Sequence, residues 1–242
     1  MDKEEAMETI LSVLSDSNYL NMPDELLDTF LKFGITLLDG GNSKVQKTIY
    51  NHCLAVTRSE IMFKRFYTLI QDQITKLKAV QESQQDDKDE DEKRFTDSFY
   101  LREFEEKTKR EEKLADDIVK KVLRFLQLFT EGHYLELQNY LRSQKNNAHS
   151  YNLVAIISEL LLAYSSNMMQ KDYENIIKCL DTLTEFVQGP CPENQVALID
   201  GKFLEVAYKI LSVITSPIQP VYLNFDCRRR PRRPPRKTNM NL

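Results

Sequence analysis

At 242 residues, 41% hydrophobic and 29% charged, the chain has the composition of a globular protein long enough to bury a substantial core. A net charge of −4 gives no reason to expect a nucleic-acid partner, and six glycines and eight prolines leave a Leu-, Glu- and Lys-rich remainder that suits helices better than sheets. No apolar run approaches the roughly 20 residues that a membrane-crossing helix needs. No transmembrane segment is therefore expected.

Met7, Ile10, Leu11 and Leu14 recur at helical spacing and mark a first helix. Pro23 suits the opening turn of a second, whose buried stripe is expected at Leu26, Leu27, Phe30, Phe33, Leu37 and Leu38. Gly40-Gly41 ends it, and Asn42 is placed to cap a third helix carrying Val45, Ile49 and Tyr50. A fourth runs from about Arg58 to Val80, with Ile61, Phe63, Phe66, Tyr67, Ile70 and Ile74 inward. From Gln81 apolar residues almost vanish, and Asp86 to Glu92 read DDKDEDE, the composition of a flexible charged linker.

Thr96 or Asp97 can cap a long fifth helix. Its first half, Glu103 to Lys113, alternates acids and bases as a solvated face does, and its second half, Ile118 to Phe129, is apolar enough to require burial. Shorter helices are expected at about Tyr134–Arg142, Tyr151–Ser165, Tyr173–Gln188, Asn194–Ile199 and Phe203–Val213. Short links between them predict antiparallel neighbours. The expected fold is all-α: an armadillo-like helical solenoid in two blocks, without a regular repeat period. The blocks are an N-terminal helical block, 1–80, and a helical domain, 97–215, joined by an acidic linker, 81–96, and followed by a disordered Pro/Arg-rich tail, 216–242.

Motifs for chemistry are absent. No phosphate-binding glycine loop, nucleophile elbow, HExxH or EF-hand loop occurs. His52, His133 and His149 lie far apart in sequence, and His52 and Cys53, being adjacent, point about 100° apart on a helix. Cys53, Cys179, Cys191 and Cys227 form no CxxC pair, and the acidic start MDKEEAMETI does not read as a signal peptide, so a reduced, cytoplasmic setting is expected and no enzyme activity is. The tail from Arg228 to Lys237, RRRPRRPPRK, reads as a nonspecific basic segment.

Two stretches are more specific. Residues 123–141 read LRFLQLFTEGHYLELQNYL, and residues 183–195 read LTEFVQGPCPENQ. In this order they resemble the RIH-associated domain of inositol trisphosphate and ryanodine receptors. YNLV at Tyr151–Val154 adds to the likeness on the inositol trisphosphate receptor side. LLDGGNSKVQ at Leu37–Gln46 and FKRFYTLI at Phe63–Ile70 resemble the helical segment that precedes that domain in those receptors.

The resemblance implies a cytosolic coupling segment of an intracellular calcium-release channel at the endoplasmic reticulum membrane. It would relay ligand and calcium signals to a pore outside this chain, and its partners would be other domains or subunits of the channel tetramer. It implies calcium ligands at Glu131 and Glu185, with His133 and Gln188 supporting them. Carboxylates suit calcium's demand for hard oxygens, but these residues alone would not single out either glutamate. The ligands that complete the site are expected in another domain, so calcium binding by this chain is expected to be weak. The alternative is a stand-alone armadillo-like interaction scaffold without transport activity.

Overall fold

A computed structural model describes residues 2–19, 22–55, 59–86, 99–166, 168 and 170–215. Among them are ten α-helices, two short 3-10 turns and no strand. The helices are α1 (Lys3–Leu14), α2 (Asp24–Leu38), α3 (Ser43–Leu54), α4 (Glu60–Asp86), α5 (Phe99–Thr130), α6 (Leu135–Arg142), α7 (Leu153–Ser166), α8 (Tyr173–Val187), α9 (Pro192–Asp200) and α10 (Phe203–Thr215). The all-helical expectation holds. The Thr96 or Asp97 cap, most of the acidic linker and the Pro/Arg tail lie outside the described residues.

Local chemistry explains the helix ends. Asp2 caps α1 through the Lys3 amide. The Asn42 side chain accepts from the Val45 amide, as its position predicted. Gly40 and Gly41 both adopt positive φ, 78° and 68°, where a side chain would be strained. Helix α4 continues to Asp86 rather than ending at Val80. One of its last turns is tied down, because Gln81 Nε2 donates to the Ala163 carbonyl of α7 at 2.9 Å.

Helix α5 organises the molecule. It lies between α2 and α8, and α7 packs against both α4 and α8. Its charged half carries surface pairs such as Lys107–Glu111, while Ile118, Val122, Phe125, Leu126 and Phe129 are sealed. One helix thus runs from water into the core, as its sequence predicts. The buried residues of all these helices form one continuous cluster that includes both Phe63 of α4 and Phe186 of α8. The core therefore does not divide at the expected linker.

Two members of the expected α2 stripe differ. Leu26 and Phe33 are 41% and 44% exposed. Leu27, Leu37 and Leu38 are buried as expected, joined by Leu31 and Gly34, with Asp28 drawn in beside them, and α2 packs against α5. Leu26 and Phe33, seven residues apart, share an adjoining face that stays partly exposed. In α4, Met62 is buried where Ile61 was expected and Ile61 is only half-covered. The α2–α5 seam also carries charge: Asp28 accepts from Lys32 and from Lys121, each at 2.6 Å. Burial pushes its carboxyl up, and the two ammonium groups outweigh that and hold it below the usual carboxylate range.

Candidate functional site

Glu131 follows the last residue of α5, and Glu185 lies in the last turn of α8. The chain leaves α5 through Gly132 and His133, both at positive φ, and leaves α8 through Gly189, also at positive φ. The two turns touch: a Cβ on Gly189 would stand 3.3 Å from His133 Cβ, so only glycine admits the histidine this closely. The ends of two neighbouring helices thereby bring Glu131, His133 and Glu185 together.

The site carries negative charge that is only partly offset. Glu131 Oε2 is buried and has no hydrogen-bond partner among the described residues. The Glu185 carboxyl is pushed above its ordinary range, first by burial and then by the Glu131 charge, with His133 and Arg124 offsetting part of it. Such an arrangement fits a hard cation, which would satisfy both carboxylates at once. The fit is partial, because no group of three or more His, Cys, Asp or Glu side chains is placed to hold a metal among the described residues. Gln188 differs from the expectation: its side chain is exposed, and it takes part through its carbonyl.

That carbonyl belongs to a buried polar frame. Gln138 Nε2, on α6, donates to the carbonyls of Glu185 at 2.7 Å and Gln188 at 2.8 Å. Gln46 Nε2, on α3, donates to the carbonyls of Leu128 at 3.0 Å and Glu131 at 2.8 Å. Each amide thus satisfies two carbonyls at a helix C-terminus, which helices leave without internal partners. Asn194 Nδ2 donates to the Gln138 and Phe186 carbonyls, and its oxygen accepts from Arg142 Nε. Arg142 also pairs with Glu193, and Gln195 Nε2 donates to the carbonyls of Val187 and Gly189. Gln138, Glu193, Asn194 and Gln195 of the two sequence blocks therefore help hold the turns in place.

Sequence reasoning gave Gln46 and Gln138 no role, although a signal existed. Each sits among buried apolar positions of its helix, Gln46 between Val45 and Ile49 and Gln138 between Leu137 and Leu141. A polar side chain within a buried stripe is the informative exception.

His52 presents a second constellation that the sequence did not show. Its Nε2 meets Ser15 Oγ at 3.0 Å and its Nδ1 meets Glu8 Oε1 at 3.2 Å. The order Ser–His–Glu has the look of an acyl-transfer set, but the setting opposes it. Ser15 caps the C-terminus of α1, where the helix dipole disfavours an alkoxide. The Ser15 and Asp16 amides are already spent on the Leu11 and Val13 carbonyls. This contact reads as a tie between α1 and α3. Cys53 and Cys179 are sealed, their thiols pushed up by burial and out of nucleophilic reach; Cys227 lies outside the described residues.

Two helix ends thus bring a pair of carboxylates together at the edge of an all-helical core. Residues 113–211 match the family described as RyR and IP3R homology associated. The chain is also similar to the inositol 1,4,5-trisphosphate receptor itr-1 of Caenorhabditis elegans, at 33% identity over 115 residues, covering 43% of this chain. It spans only 4% of that receptor's length. No described helix is long and apolar enough to cross a membrane.

Proposed function

We propose that the chain is a cytosolic coupling segment of a calcium-release channel of the inositol trisphosphate receptor type, acting at the endoplasmic reticulum membrane within a channel tetramer. The observation that carries the reading is the pair Glu131 and Glu185, one with a buried oxygen that has no partner among the described residues and the other with a carboxyl raised by burial and by its neighbour's charge.

Calcium would supply the positive charge that these carboxylates lack. Glu131 and Glu185 would hold it, and His133 lies close enough for its charge to act on Glu185. Without the ion the two carboxylates repel. With it, the ends of α5 and α8 are drawn together, and α5 carries the change to α2 through their shared seam. Gln138 and Gln46 keep the backbone of both turns fixed, so that charge rather than chain wandering sets the spacing. The remaining oxygens would come from a partner domain.

A partner also suits the far end of the stack. Val196, Ile199, Leu204, Tyr208 and Leu211 are exposed on α9 and α10, where a further layer of an armadillo-like solenoid would cover them.

Calcium titration of the full chain, followed by NMR amide shifts, tests the site. Weak, millimolar binding that centres on Gly132 and Gly189 and disappears in Glu131→Gln is expected. Unchanged shifts in that variant would sink the assignment. Co-purification with an intact channel tests the partner. A stable association with some unrelated protein instead would favour the stand-alone scaffold.

A further inference from the structure

We infer that Gln46 and Gln138 are positioning residues for the Glu131–Glu185 pair, and that helix α3, through Gln46, is a point from which the affinity of that pair is set. The inference rests on the calcium reading above and adds its regulation.

The geometry is paired. Each glutamine is almost fully buried, comes from a helix other than the one it serves, and spans two carbonyls at that helix's end. In each case one of the two carbonyls is that of the candidate ligand itself, Glu131 for Gln46 and Glu185 for Gln138. Fixing a residue's own carbonyl fixes the origin of its side chain. The α2–α3 turn adds a second hold on Glu131. A Cβ on Gly41 would lie 3.5 Å from Glu131 Cγ, so the turn's backbone lies against the glutamate side chain while Gln46, a turn further on, grips its carbonyl.

Among the described glycines, none lies against the Glu185 side chain in that way. Its side chain is half-buried, and its partner amide, Gln138, is itself anchored by Asn194 through the Gln138 carbonyl. The two halves of the site are therefore governed from different places. Glu185 is held from within the stretch that matches the family, residues 113–211, and Glu131 from α3, outside it. Helix α3 is also tied to α1 by the His52 contacts with Ser15 and Glu8. A displacement of α1 and α3 as a pair would thus move the Glu131 backbone without touching a ligand.

Two readouts on the full, folded chain test this. The first is calcium affinity by NMR titration, and the second is the titration midpoint of the Glu185 carboxyl by carbon-detected NMR without calcium. Gln46→Met and Gln138→Met keep the side-chain length and remove the donor. Each is expected to weaken calcium binding about 3- to 10-fold and to move the Glu185 midpoint, with helicity retained. If Gln46→Met does not fold, Gln46→Asn, whose amide is too short to span both carbonyls, takes its place. Folded variants that leave both readouts at their wild-type values would overturn the inference. Absence of calcium binding by the wild type, with the Glu185 midpoint still moved in Gln46→Met, would remove the calcium reading and leave the positioning role standing.

Discussion

Gly34 of α2 faces the ring of Phe125 of α5 so closely that a Cβ at that position would lie 2.6 Å from Cε2. The ring is fully buried and makes T-shaped contacts with Phe66 and Phe129, so it has nowhere to retreat. The central seam of the fold thus depends on a missing methyl group.

Gly34→Ala is accordingly expected to destabilise the chain by about 1–3 kcal/mol through overpacking. Helix propensity alone predicts the opposite, a gain of about 1 kcal/mol. Urea unfolding separates the two. A higher midpoint in Gly34→Ala would show that the seam yields, and pairing it with Phe125→Leu should restore part of the loss.

Glu185 gives a pH dependence of definite sign. Its folded carboxyl titrates above the ordinary 4.5, so the folded state binds the proton more tightly than the unfolded state does. The resulting penalty is absent below the ordinary value, grows as pH rises towards the raised folded value, and is complete above it. Glu185→Gln should therefore stabilise the chain at pH 7, by about 1 kcal/mol or less given its partial exposure, and have no effect near pH 4. Unfolding at the two pH values checks this. Equal gains at both would show that the charge is not the cause.

Asn194 and Gln195 are neighbours with similar chemistry and different burial. Asn194 is sealed and serves two carbonyls and Arg142, whereas Gln195 makes its two bonds at the exposed surface. Asn194→Ala should cost about 3 kcal/mol, because buried carbonyls lose their donor without gaining water. Gln195→Ala should cost under about 0.5 kcal/mol. Comparable thermal shifts in the two variants would contradict the assignment of the frame to Asn194.

Much of this was legible in the sequence. The α3 cap at Asn42, the double-glycine end of α2 and the passage of α5 from a charged to an apolar half all follow from local rules that need no tertiary context. Leu26 and Phe33 were misplaced because α2 is apolar on two adjoining faces, and periodicity does not say which face meets α5. Ile61 was misplaced by one residue for the same reason. Glu131 and Glu185 were reached through a resemblance, since a glutamate at a helix end is ordinarily a solvated residue. Their closeness to each other, and the buried oxygen on Glu131, are properties of two turns 54 residues apart meeting, which no local pattern encodes.

By itself the sequence determined that this chain is helical, where most helices begin and end, and that its motif blocks are specific. Those outcomes depend on backbone preference, capping and apolar spacing, which act within a few residues. Only the tertiary structure decided which polar side chains matter. Gln46, Gln138 and Asn194 each reach a carbonyl on another helix, and a donor's value is set by whether a buried acceptor lies opposite it. That is a relation between distant parts of the chain, fixed once α3, α6 and α9 have packed around the ends of α5 and α8.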